Sequence, residues 1–287
     1  MSIPNLKRIS DKIIYLPADH KTDRPILAAI TGTRRTLLVD AGNSPAHAEV
    51  FLNALSQYPL SPIDFVILTH WHWDHIFGIH RIGLPTIAHK HTRLQMEKMT
   101  EWSWTDEALD QRVAEGTEIP FCAEMIKKEF SDRNQIIIAL PDITYEKCLE
   151  IDLGGLTCII EHVPCDHSED NTFVFIKEEG VLFVGDSLGP NFYAPKRYYT
   201  VKKLLSLLEK IESYDARIIV ASHWEAVDKA EFQTEIDELR AFAYTAEVCG
   251  QDRDAFLHLL PEKLGRALND VDCQYIDYFL DGFAINK

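Results

Sequence analysis

No window of the 287-residue chain approaches the roughly 18 consecutive apolar residues that a membrane span needs. Residues 1–12 lack the basic start and unbroken apolar run of a secretory leader. Both absences point to a cytoplasmic chain with no membrane partner. Positive charge is scarce. The chain has 29 Lys and Arg against 45 Asp and Glu, a formal net charge of −16. Nucleic acid is therefore not the expected main partner, because phosphate contacts need a basic surface. A nuclease stays open, since a metal site supplies local positive charge. Paired cysteines are missing too. Cys122, Cys148, Cys158, Cys165, Cys249 and Cys273 are dispersed and form no C-x-x-C pair. That excludes a disulfide scaffold and a four-cysteine zinc site, and the six read as reduced thiols, mostly in the core. There is no low-complexity tract and no short repeat.

What is present is ordinary for a globular protein, with 46% hydrophobic and 26% charged residues. The length suits one large domain, or one domain with an appendage. Strand-like runs lie at 12–17, 25–31 and 36–40, and Ser44-Pro45 reads as a cap and first-turn proline opening a helix over 46–55. A compact apolar run at 63–69 reads as a buried strand, and 84–88 as the next. Residues 91–130 have an amphipathic, helical texture. Strands are then expected at 143–153, 156–163, 172–177, 181–185 and 217–221. Helices are expected at 201–212 and 228–246, and over the last forty residues. Strands and helices, followed by strands and helices again, suit two sheets packed face to face with helices outside, an α/β arrangement.

The chemistry is concentrated in His70-x-His72-x-Asp74-His75. In a strand, residues i and i+2 share a face, so His70 and His72 at a strand end can approach one metal. After a turn, Asp74 and His75 can face a neighbouring position. Imidazole nitrogen and carboxylate oxygen are ligands that zinc accepts. The bland alternative is a solvated histidine-rich loop. Further candidates sit where predicted strands end: His167 after Val163, Asp186 after Val181-Leu182-Phe183-Val184-Gly185, and His223 after Ile218-Ile219-Val220-Ala221-Ser222. A rigid sheet can aim such residues into one cleft. His20, His47, His80, His89, His91, His162 and His258 lack this ordered context and read as ordinary histidines.

The ordered set resembles the metallo-β-lactamase-fold superfamily of metallohydrolases, and Val39-Asp40-Ala41-Gly42 resembles its early strand-and-turn motif. The resemblance covers about residues 10–230. It implies an αββα sandwich over 1–245, with a helical insertion at about 91–130 and a C-terminal helical extension over 246–287. It implies a first metal held by His70, His72 and His167, and a second held by Asp74, His75 and His223. Asp186 would bridge the two, and Asp40 would orient the ligand loops through hydrogen bonds. Two divalent ions roughly 3.5–4 Å apart lower the pKa of a shared water, giving hydroxide near neutral pH. Asp74 is placed to accept a hydrogen bond from that hydroxide or to shuttle a proton. The metals are expected to be zinc, with iron or manganese also compatible.

Departures from the family's branches narrow the substrate. Asp186 is generally absent from the antibiotic-degrading members, and no flavodoxin-like domain follows the sandwich. RNA-processing signatures are missing. The Cys-Gly-His usual in glyoxalase II-like thioesterases is Cys165-Asp166-His167 here. Lactonases place a tyrosine shortly after the bridging aspartate, where Gly189 stands, leaving Tyr193, Tyr198 or Tyr199 as substitutes. Trp71 and Trp73 flank the ligands, and Trp102, Trp104 and Trp224 are candidates for the cleft wall. Lys196 and Arg197 are candidates for holding an anionic substrate. The expectation is a hydrolase of small-molecule esters, lactones, thioesters or amides, using a metal-bridging hydroxide. A phosphodiesterase on the same site, an iron-dependent oxidoreductase of the sulfur dioxygenase kind, and a non-catalytic sensor are the alternatives. The C-terminal helices either cover the sandwich or form a homodimer contact.

Overall fold

Most strands of this protein are apolar on both faces, which commits them to burial between two layers. The structure is a computed structural model that describes residues 5–285. The expected domain limits at residues 1 and 287 lie outside the described residues. Among these, two sheets face each other. The first runs, in chain and spatial order alike, β1 (Lys7–Arg8), β2 (Ile13–Leu16), β3 (Leu27–Thr31), β4 (Thr36–Val39), β5 (Ile63–Ile67), β6 (Thr86–His89) and β7 (Ile143–Tyr145). The second runs β8 (Cys148–Asp152), β9 (Thr157–His162), β10 (Thr172–Ile176), β11 (Val181–Gly185), β12 (Ile218–Ala221) and β13 (Val227–Asp228).

Alternation along each strand divides the apolar residues between two cores. Ile13 and Tyr15 of β2, Ile30 of β3 and Val39 of β4 meet Ile160, Val174, Phe183 and Val220 of the second sheet. The opposite face of the first sheet packs under α1 (Pro45–Leu55), α2 (Trp73–Ile76), α3 (Ile79–Ile82), α4 (Lys90–Met99), α5 (Asp106–Glu115) and α6 (Pro120–Glu129). The second sheet packs under α7 (Val201–Glu212), α8 (Lys229–Cys249), α9 (Arg253–Leu264) and α10 (Asp270–Ile285). The result is the αββα sandwich, with helices over 90–129 and at the C-terminal end. No helix among the described residues is long and apolar enough to cross a membrane.

Three local expectations differ from the structure. The run 143–153 is two strands in two sheets: β7 pairs with β6 from Ile87 to Ile143, while β8 pairs with β9. The chain crosses at Glu146-Lys147, whose carbonyls accept from His89 Nε2 and from the His162 N–H, each at 2.9 Å. The expected boundary at 245/246 falls inside α8, which continues to Cys249 without a break. Finally, β5 ends at Ile67, so His70 and His72 lie beyond the strand, in the loop leading to α2.

Candidate metal centre

Asp40 organises the loop that carries the histidines. It follows β4 in a left-handed backbone conformation, φ 60°, unusual for a residue other than glycine. Its buried carboxylate accepts the Thr69 N–H at 2.7 Å and the Thr69 hydroxyl at 2.9 Å. It also faces His75 Nδ1 at 2.8 Å. The Thr69 hydroxyl proton goes to Asp40, so Thr69 Oγ1 accepts from His70 Nδ1 at 3.1 Å. These bonds place the protons on the Nδ1 atoms of His70 and His75, leaving both Nε2 lone pairs for a metal. Convergence of His70 and His72 therefore comes from a pinned loop rather than from strand alternation.

The structure brings the seven candidate ligands together where β5, β9, β11 and β12 end. Two groups form: His70, His72 and His167, and Asp74, His75, Asp186 and His223. In the first, His72 Nδ1 lies 3.0 Å from His70 Nε2 and 2.9 Å from His167 Nε2. In the second, Asp74 Oδ2 lies 2.9 Å from His75 Nε2 and 3.1 Å from His223 Nε2. Asp186 Oδ2 faces both groups. It lies 3.9 Å from His70 Nε2, 3.6 Å from His167 Nε2, 3.4 Å from His75 Nε2 and 3.3 Å from His223 Nε2.

The donor set fits two cations. Burial pushes His70 and His72 well below the usual imidazole range and brings His167 down to about 4. Their converging nitrogens are thus neutral, with lone pairs directed at shared space. Burial acts the same way on His75 and His223, but Asp74, Asp40 and Asp186 outweigh it and hold His75 well above that range, so an ion binding at its Nε2 displaces a proton. Asp186 and Asp74 do the same for His223. Against burial, His75 and His223 hold Asp74 and Asp186 below the usual carboxylate range. Asp186 Oδ1 and His75 Nε2 are buried with no hydrogen-bond partner, an arrangement that a coordinated ion would satisfy.

Other candidates separate clearly. Trp73 and Tyr193 line the cleft beside the metal centre, and Tyr193 packs against His72 with ring centroids 5.0 Å apart. Tyr198 accepts from Asn191, and buried Tyr199 donates to the Leu188 carbonyl. Trp102 and Trp104 do not line the cleft. They hold the Arg112 guanidinium at 5.0 and 4.9 Å within the helical insertion. Trp224 is half exposed beside a neighbouring depression. His89, His91 and His162 form a second cluster, but His89 Nδ1 accepts the His91 N–H and its Nε2 donates to Glu146. His89 has no lone pair left, so the reading as a structural histidine fits. Gly189 stands where a side chain would collide: a Cβ there would lie 2.7 Å from His167 Nδ1.

Sequence reasoning missed Asp23. It has φ 58° and its Oδ1 lies 3.6 Å from His223 Nδ1. Burial and the Asp74 carboxylate push its carboxyl up to about 7. It lies 200 residues before His223, in a polar turn with no strand-end signal, so only its left-handed backbone sets it apart.

The sandwich and this strand-end cluster define a metallohydrolase-type scaffold. The chain matches the model of the Metallo-beta-lactamase superfamily over residues 28–223, and it belongs to that superfamily, whose members are mostly hydrolytic enzymes. It is 25% identical over 205 residues to a Beta-lactamase-like protein 2 homolog from Caenorhabditis elegans, a match covering 69% of this chain and 55% of that relative. The chain thus spans about half the length of that curated relative. Among solved structures it resembles a stereoselective inverting sec-alkylsulfatase from Pseudomonas sp., with TM-score 0.68, 13% identity, and coverage of 98% of this chain and 50% of the other. It also resembles a metallo-beta-lactamase family protein from Thermus thermophilus, with TM-score 0.59, 17% identity, and coverage of 96% and 93%. These likenesses describe the fold.

Proposed function

We propose that the chain is a dinuclear, zinc-dependent hydrolase of small molecules bearing an ester, lactone, thioester or amide carbonyl. The observation that carries this reading is Asp186 Oδ2, which lies within 3.9 Å of ring nitrogens from both histidine groups. His70, His72 and His167 would hold one ion, Asp74, His75 and His223 the other, and Asp186 both. Such a pair, when bound, acidifies water and stabilises negative charge developing on the attacked group. Nitrogen and oxygen donors without thiolate suit zinc. The six cysteines are free, which supports a cytoplasmic setting.

The chain's own residues do the rest. Asp40 and Thr69 fix the tautomers of His75 and His70. Asp74 stays ionised, so it can accept a proton or a hydrogen bond beside the reacting carbonyl. Trp73, Ile119, Phe192 and Tyr193 exclude water from the substrate side of the cleft. The experiment is a hydrolysis panel of esters, lactones, thioesters, amides and phosphodiesters with metal-loaded protein. Turnover of a carbonyl substrate, lost by at least about 100-fold in Asp74→Asn with metal retained, is the expected result. Turnover of phosphodiesters alone would overturn the substrate assignment, and normal turnover in Asp74→Asn would overturn the role given to that residue.

A further inference from the structure

The cleft beside the metal centre encloses about 350 Å³. Its wall is apolar, with Trp73, Ile119, Phe121, Phe192 and Tyr193 among the lining residues. Histidines apart, one cationic side chain joins them among the described residues: Arg197. We propose that Arg197 is a specificity-determining residue that receives a carboxylate on the substrate. The enzyme's substrates are then acyl esters with an apolar body and one negative charge remote from the scissile carbonyl. This proposal rests on the hydrolase reading above and names the substrate class for the same site.

Three observations support it. First, Arg197 forms no ion pair among the described residues, although the chain carries a surplus of 16 carboxylates over cations. Its neighbours do pair: Lys196 with Asp281, and Lys203 with Glu169. The carboxylates that share the cleft are engaged elsewhere. Asp74 and Asp186 face His75 and His223, and Asp23 faces His223. Second, the guanidinium is held in place rather than free. It stacks over the Phe192 ring at 4.7 Å and donates to the Tyr278 hydroxyl at 3.4 Å. The stack occupies one face of the planar group and leaves in-plane N–H donors for a carboxylate. Third, a partly buried guanidinium against an apolar wall gains most from an ionised partner, because little water competes there. The sequence offers Lys196 and Arg197 as equal candidates. The structure separates them, since Lys196 is exposed and paired while Arg197 lines the cleft.

The test compares two matched esters: phenyl hexanoate, which is neutral, and the mono-phenyl ester of adipic acid, which ends in a carboxylate. In each, water delivers hydroxide to the acyl carbon and a proton to the departing phenoxide, giving acid and phenol. Metal-loaded wild type is expected to prefer the charged ester in kcat/KM by at least about tenfold. In Arg197→Met that ratio falls to near one, through KM, while Arg197→Lys keeps part of it. A purely structural role would lower both rates together and leave the ratio intact, which overturns the proposal. The matched phenyl ketones, which cannot be hydrolysed, are titrated in parallel by calorimetry. The charged ketone is expected to bind wild type at least about tenfold more tightly than Arg197→Met. Equal binding overturns the anion subsite even if esters are cleaved. Tighter binding without any cleavage keeps the subsite and overturns the hydrolase reading instead.

Discussion

Asp40 makes no contact with either candidate metal position, yet three donors from the motif loop converge on its carboxylate. Asparagine there keeps the size but turns one acceptor into a donor facing donors. Asp40→Asn is expected to fold and to bind metal about 10–100-fold more weakly, measured by competition with a chromophoric chelator. Unchanged affinity would show that the loop orients itself. Gly189 is the second residue whose identity the site dictates. Alanine would crowd His167 Nδ1 at 2.7 Å, so Gly189→Ala is expected to weaken the first group's metal more than the second's. The seven candidate ligands stood out in the sequence as an ordered set: a His or Asp after an apolar run is common, and it was the His70-x-His72-x-Asp74-His75 motif with the family order that tied His167, Asp186 and His223 to it. Asp23 was not legible, because neither a turn aspartate's neighbours nor its spacing reveals a contact 200 residues away.

At the scale of elements, the periodicity located most strands and helices, since burial on both faces leaves continuous apolar runs. It could not show that 143–153 divides between sheets. Both halves are strand-like, and the break depends on partners far along the chain, His89 and His162. His89 also caps α4, accepting the His91 N–H. Burial and nearby His162 depress its pKa to about 4, whereas an unfolded histidine titrates at about 6.5. Below that value the unfolded chain takes up a proton that the folded chain refuses. This contribution to stability is full above about pH 6.5 and is lost as pH falls towards 4. Metal-loaded wild type is therefore expected to lose stability more steeply than His89→Asn over that window, measured by urea unfolding at several pH values. Equal slopes would contradict the depressed titration assigned to His89. The C-terminal helices pack on the second sheet through Phe279, which is fully buried and stacks on Tyr199 at 5.2 Å. Phe279→Ala is expected to cost about 3–5 kcal/mol in the same assay.

For the whole molecule, the rigid element is the pair of sheets, which aims strand-end residues from both halves of the chain into one cleft. The first sheet supplies Asp40, His70, His72, Asp74 and His75. The second supplies His167, Asp186 and His223. Neither sheet alone completes either group: His167 joins His70 and His72, and Asp186 and His223 join Asp74 and His75. The motif order was enough to expect this assembly, since the family resemblance fixes which strand each ligand follows. The shape of the cleft was not legible, because its wall comes from the helical insertion and from residues 192–197, whose positions follow from packing rather than from pattern.

The proposed function requires these two sheets to hold a pair of divalent ions. The most direct measurement is metal content by plasma mass spectrometry on protein purified without chelator, beside His72→Ala and Asp186→Ala. About two zinc ions per chain are expected in wild type, with the first group depleted in His72→Ala and both groups depleted in Asp186→Ala. Full metal content in both variants, or a single iron with little zinc in wild type, would contradict it.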